Sequence, residues 1–159
     1  MISPNLSRLA VCAGAVLLAS AIGSFATVRA IPIWYKGLTK PSFNPPAWLF
    51  GPAWTVLYLM MAVAAWLVWK HGFGSAGVNL ALAAFLVQLA LNCLWSILFF
   101  GLRSPLAGMV EIVAMWLAIL ATIVLFFRVS VPAGVLLLPY IAWVSFAALL
   151  NAAILRLNR

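Results

Sequence analysis

Few side chains in this sequence are suited to acid–base, nucleophilic or metal chemistry. Its one acid is Glu111, its one histidine is His71, and its two cysteines, Cys12 and Cys93, stand inside separate apolar runs with no CxxC spacing. There is no carboxylate pair for general acid–base work, and such a set cannot assemble three or four metal ligands. No metal site is therefore expected, and the cysteines read as small buried hydrophobes. Conventional hydrolytic chemistry is nearly excluded. What the sequence offers instead is aromatic rings beside amides and hydroxyls. Gln88, Asn92, Trp95 and Phe99 recur at intervals of four, three and four, which puts them on one helical face. Trp54 and Tyr58 are four apart, and Trp143, Ala147 and Asn151 form another series of fours. Rings supply wide contact area and stack on flat molecules, so these three faces point to a cavity for a flat, apolar ligand. The alternative for Gln88, Asn92 and Asn151 is hydrogen bonding between helices, worth about 0.6 to 2 kcal/mol each.

The elements that carry these faces follow from composition. Of 159 residues, 68% are hydrophobic and 6% charged, far too apolar for a water-soluble fold to hide. Five uncharged or nearly uncharged stretches reach the roughly 20 residues of helix that a bilayer core requires. They cover about 9–28, 47–69, 78–102, 106–127 and 132–155. The expected fold class is an all-α membrane protein, a five-transmembrane-helix bundle forming one domain over 1–159 in contact with membrane lipid. Ala19-Ser20-Ala21 resembles a signal-peptide cleavage site, but the apolar run continues to Val28, which favours a membrane span. The net charge of +8 comes mostly from basic residues flanking apolar runs, an arrangement of membrane-edge anchors that does not suit nucleic acid.

Basic residues also predict orientation. Arg8, Lys70 and Arg128 fall on one side, whereas Arg29, Lys36, Lys40, Arg103, Arg156 and Arg159 fall on the other. The first loop and the C-terminus should then face the cytoplasm, with the N-terminus outside. That first loop, 29–46, carries Pro32, Pro41, Pro45 and Pro46 together with Trp34, Tyr35, Phe43 and, just beyond it, Trp48. Prolines at this density oppose a continuous helix and stiffen the connection. The segment reads either as a rigid aromatic lid, formed by Trp34, Lys36, Lys40, Pro45, Pro46 and Trp48, or as an interfacial aromatic belt. Glu111, some six residues into the fourth span, is expected to snorkel to the interface or to pair with Arg103. Pro139 predicts a kink ahead of Trp143. Ala19 and Gly23 form a small-xxx-small pair of the kind that lets helices of two protomers approach.

Taken together, Trp34-Tyr35, Lys40-Pro41, Pro45-Pro46-Ala47-Trp48 and Gly51-Pro52-Ala53-Trp54-Thr55-Val56-Leu57-Tyr58 resemble the translocator protein family, whose bacterial members are called tryptophan-rich sensory proteins. Gly23-Ser24, Gln88-Leu89-Ala90-Leu91-Asn92 with Trp95, Phe99-Phe100-Gly101, Pro139-Tyr140, Trp143, Phe146-Ala147 and Leu150-Asn151 extend the likeness over essentially the whole chain. The resemblance implies a five-helix bundle, commonly a homodimer, that binds porphyrins, some synthetic ligands and, in some members, sterols. It implies a pocket at Trp54, Trp95, Trp143, Ala147 and Leu150, with the first loop as lid and Tyr35 near its rim. The helical faces add Tyr58, Gln88, Asn92 and Phe99 as candidate ligand contacts.

No obligatory cofactor is implied; a porphyrin would be the ligand, its propionates meeting Lys36 or Lys40. Some bacterial relatives degrade protoporphyrin in light, and the two tryptophans implicated there correspond to Trp54 and Trp143, which would be the catalytic pair if this chain were an enzyme. The readings carried forward are a porphyrin-binding sensor or regulator, a light-dependent porphyrin-degrading enzyme, and a porphyrin or lipid transporter. Lack of repeated halves and of a coupled charge pair weighs against transport. Three departures bear on ligand choice. The sterol pattern of animal members needs a Tyr that the stretch Leu150 to Arg156 lacks. Ala107 replaces a tryptophan early in the fourth span, which is expected to reshape the pocket, and Phe43 stands where many relatives carry Trp.

Overall fold

Ser3 starts the first helix: its extended backbone and its side chain, which accepts from the Leu6 amide at 3.3 Å, cap the first turn, and Pro4 follows where no amide proton is needed. The computed structural model describes residues 3–159. Five helices are long and apolar enough to cross a bilayer: Pro4–Tyr35, Ala47–Trp69, Ala76–Gly101, Pro105–Val129 and Val131–Leu157, here the first to fifth helices. No strand occurs among the described residues. The first helix packs between the second and the third, the third against the fourth, and the fourth against the fifth. The fifth meets the second and closes the ring.

Closure is uneven along the bundle axis. Most buried apolar residues, among them Met61, Val68, Phe85, Ile119, Phe126, Leu137 and Val144, belong to the helix halves that meet at the second and fourth loops. Only a small cluster of Phe99, Leu150 and Ile154 occupies the end nearer the first loop. The second helix lies close to Val131–Leu136 of the fifth, but its backbone stands away from Leu138–Leu157. Aromatic rings bridge that gap, Trp54 to Tyr140 at 6.3 Å and Phe50 to Trp143 at 6.0 Å between centroids. The separation coincides with a break at Leu137, between the helical segments Val131–Leu136 and Leu138–Leu157. This is the predicted kink, because Pro139 cannot donate back to the preceding turn.

Three expectations need correction. The first helix does not end at residue 28; it continues to Ala30 and then through a π-helical turn, Ile31–Tyr35. Pro32 lacks an amide proton and crowds the preceding turn, and a single widened turn absorbs both effects without ending the helix. The free part of the first loop is correspondingly shorter than 29–46. Secondly, Ala19 and Gly23 are buried inside the bundle, at the crossing with the third helix. The Cys93 thiol donates to the Ala19 carbonyl at 3.5 Å, and a Cβ on Gly23 would lie 3.1 Å from Ser96 Oγ. Within the chain, this small pair serves the packing of the first helix on the third. Thirdly, Glu111 neither snorkels nor pairs with Arg103: it is buried, and neither carboxyl oxygen has a hydrogen-bond partner among the described residues.

Gly108, on the same helix as Glu111, has a consequential position. A Cβ there would lie 2.9 Å from both Asn151 Oδ1 and the Phe99 ring, so glycine permits the close approach of the third, fourth and fifth helices. Gly108→Ala should therefore lower the apparent thermal midpoint of the detergent-solubilised protein, with overpacking of this kind costing about 1–3 kcal/mol. Gly51→Ala, where a Cβ meets nothing within 4 Å, should leave it unchanged or slightly raised. Equal midpoints for Gly108→Ala and the parent would show that this crossing tolerates a side chain.

Candidate ligand-binding cavity

Hydrocarbon offers no partners to polar groups, so amides and hydroxyls in the interior must satisfy one another. Tyr58, Gln88, Asn92 and Tyr140 do so in one connected chain. Tyr58 Oη donates to Asn92 Oδ1 at 2.7 Å, Asn92 Nδ2 donates to Tyr140 Oη at 3.1 Å, and Tyr140 Oη donates to Gln88 Oε1 at 2.9 Å. The chain ties the second, third and fifth helices together across the bundle centre. Tyr140, Gln88 and Asn92 are each at most 3% exposed. Beyond this floor, toward the first loop, the helices diverge and a cavity of about 640 Å³ opens. That size falls within the roughly 300–1,000 Å³ typical of small-molecule sites.

The walls are largely aromatic. On the second helix, Trp54 leans on Tyr58 with centroids 5.4 Å apart. On the third, a π-helical turn over Ile97–Gly101 follows Trp95, which stacks on Phe99 at 5.1 Å and 16° while Phe100 meets Phe99 edge-on. Turns of this kind shift the helical register and often mark functional sites. On the fifth, Trp143 contacts Phe50 across the gap and Phe146 along its own helix. Trp95 Nε1 donates to Asn151 Oδ1 at 3.4 Å and Asn151 Nδ2 donates to the Pro105 carbonyl at 2.8 Å, which fixes the indole from behind.

The mouth is basic and closed over by the first loop. Lys36 and Lys40 supply the formal charges in the cavity lining. Lys40 Nζ donates to the Lys36 and Leu38 carbonyls at 3.3 and 3.1 Å and lies 4.8 Å from the centre of the Tyr35 ring. Tyr35 Oη donates to Asn44 Oδ1 at 3.0 Å. Asn158, near the end of the fifth helix, accepts from the Thr39 amide and donates to the Thr39 carbonyl, each at 2.9 Å, fastening the loop to the bundle.

Of the residues singled out from the sequence, Tyr35, Lys36, Lys40, Pro45, Trp54, Tyr58, Trp95, Phe99, Trp143, Ala147 and Leu150 border this cavity. Gln88 and Asn92 do not; they lie beneath it in the polar chain, so the hydrogen-bonding alternative describes them. Trp34 is also outside the lining and packs edge-on against Phe99 and Phe100, bracing the wall. Pro46 caps the second helix and, like Trp48, which is 72% exposed, lies outside the lining and faces the surroundings. Apart from Tyr35 at its end, sequence reasoning missed the first helix as a wall, although Ser20, Gly23, Ser24 and Thr27 form part of it. The signal was present, since small polar residues three and four apart within an apolar span tend to face protein or a cavity.

The sequence profile of the TspO/MBR family matches residues 11–157. The chain belongs to that family. It is 47% identical to the tryptophan-rich protein TspO of Archaeoglobus fulgidus over 97% of this chain and 99% of that one. It is 48% identical to the protein of the same name from Chlorobaculum tepidum over 94% and 95%. It is 42% identical to the human translocator protein over 79% of this chain and 75% of the human one. With five apolar helices, this member of the family is an integral, multi-pass membrane protein.

Removing the central hydroxyl tests the polar floor. Tyr140→Phe would leave Gln88 Oε1 without its donor and Asn92 Nδ2 without its acceptor in a dry interior, at a cost of about 1–3 kcal/mol. The expected result is a lower thermal midpoint with the helix content of the parent; no change would mean that water or a rearranged amide replaces the hydroxyl.

Proposed function

We propose that this protein is a membrane sensor or regulator that binds a flat tetrapyrrole of the porphyrin class in the cavity. The observation that carries this reading is the arrangement of Trp54, Trp95 and Trp143 on three different helices around one apolar space, with Lys36 and Lys40 at its mouth. Indole faces stack on a conjugated macrocycle, and the ammonium groups meet the propionates that a porphyrin carries along one edge. An apolar body with an acidic edge matches a cavity with an aromatic interior and a basic rim. Charge asymmetry across the spans supports a cytoplasmic position for that rim. One relative, from Cereibacter sphaeroides, bears the name tryptophan-rich sensory protein, which supports a sensory role.

A second reading, photochemical degradation of the bound porphyrin, rests on Trp54 and Trp143 both lining the cavity. Both readings are tested in one preparation. Protoporphyrin titrated into detergent-purified protein in the dark should quench tryptophan fluorescence saturably. Replacing Trp54 and Trp143 together by Leu should raise the dissociation constant at least tenfold, about 1.4 kcal/mol, within the range of two ring contacts. Lys36→Ala with Lys40→Ala should weaken binding of the free acid but not of the dimethyl ester. Titration curves unmoved by the tryptophan replacements would overturn this placement. A new absorbing species that appears only when porphyrin and protein are illuminated together would move the assignment to an enzyme.

A further inference from the structure

The cavity has two conceivable routes of entry, past the first loop or through the side of the bundle. We infer that the ligand enters sideways, from the hydrocarbon layer, through a window between the first and second helices, and that the first loop is a fixed cap. This rests on the binding reading above.

The two helices are joined firmly at one end only. Near the N-terminus, Trp66 Nε1 donates to the Asn5 carbonyl at 3.0 Å and an Arg8 guanidinium nitrogen reaches the Trp69 carbonyl at 3.5 Å. At the other end, the π-helical turn of the first helix makes no substantial packing against the second among the described residues. Between these ends, Ser24 and Val28 of the first helix and Gly51 and Thr55 of the second border the same cavity. All four line it and none is buried, so no tight packing closes the gap between them.

The frame suits an apolar passenger. Gly51 leaves open space where a side chain would stand. The Thr55 hydroxyl donates to the Gly51 carbonyl at 2.9 Å and the Thr27 hydroxyl to the Gly23 carbonyl at 2.8 Å, so neither presents an unsatisfied donor to the opening. Gly51 and Thr55 lie four and eight residues into the second helix, roughly 6 and 12 Å along its axis. An amphiphile with a flat apolar body and an anionic edge rests at that depth in a bilayer, its acid groups still at the headgroups. The loop side is fastened by contrast: Asn158 holds Thr39 by two hydrogen bonds, Tyr35 holds Asn44, and Lys40 holds two loop carbonyls. Entry there requires these contacts to break, whereas the window requires none of them to move.

Two reversible tethers decide between the routes. In a background lacking Cys12 and Cys93, Val28→Cys with Gly51→Cys spans the window, and Thr39→Cys with Asn158→Cys pins the loop. Each pair is joined by a bis-maleimide with a reducible disulfide in its spacer, in phosphatidylcholine nanodiscs loaded with protoporphyrin. The window tether should slow the onset of tryptophan quenching at least tenfold, and reduction should restore both rate and final quenching. Tethered after loading, the same protein should retain its porphyrin against excess empty vesicles. The loop tether should change the rate less than twofold. Loading of the window-tethered protein at its reduced rate, or a block produced by the loop tether, would overturn the lateral route while leaving the site intact. Absence of saturable quenching in the reduced protein would overturn the binding reading, and the window with it.

Discussion

The fold depends on the hydroxyl of Tyr140. In hydrocarbon an amide without partners is expensive, and two of them, Gln88 and Asn92, face the bundle axis from the third helix. A single phenol on the fifth helix serves both, donating to Gln88 Oε1 and accepting from Asn92 Nδ2, while Tyr58 on the second helix completes the chain. Three helices are thereby held in register at one depth. On one side of that depth the bundle is filled with Met, Phe, Ile and Val; on the other the helices are free to diverge.

Divergence is built into the backbone by residues that cannot make a regular helical turn. Pro139 interrupts the fifth helix just before Trp143, and Pro52 sits inside the second just before Trp54. Two π-helical turns, at Ile31–Tyr35 and Ile97–Gly101, re-aim the aromatic side chains of the first and third helices. Gly108 works in the opposite sense, drawing the fourth helix against Phe99 and Asn151 so that the cavity is bounded by the other four. The rings that line the space are also its structural supports, because Trp54 meets Tyr140, Phe50 meets Trp143 and Trp95 stacks on Phe99. Binding surface and packing are the same atoms here, which links occupancy of the cavity to the spacing of the helices.

Much of this was legible in the sequence, and the failures share a cause. Apolar run length located five spans, and fourfold spacing brought Trp54, Trp95 and Trp143 to one interior. The period of a helix reports direction but not depth, so Gln88 and Asn92 looked equivalent to Trp95 and Phe99 although they lie below the cavity with Tyr140. Ala19 and Gly23 were readable as a close-packing surface, but no periodicity tells whether the partner is another helix of the chain or another chain. Pro32 reads as a helix terminator because the simplest response to a missing amide proton is to stop; the wider turn that carries the helix on to Tyr35 is a tertiary outcome. Glu111 is the residue that resists any local rule, as an acid buried between helices with neither oxygen partnered among the described residues.

Hydrogen–deuterium exchange of the nanodisc-embedded protein, with and without saturating protoporphyrin, tests the central claim of a bundle sealed at one end and open to ligand at the other. Protection on binding should fall on Ser20 to Tyr35, the first loop, Ala47 to Tyr58, Trp95 to Phe100 and Trp143 to Ile154, with the fourth helix and the second and fourth loops unchanged. Protection centred on the fourth helix, or on the sealed end around Phe85 and Phe126, would contradict it.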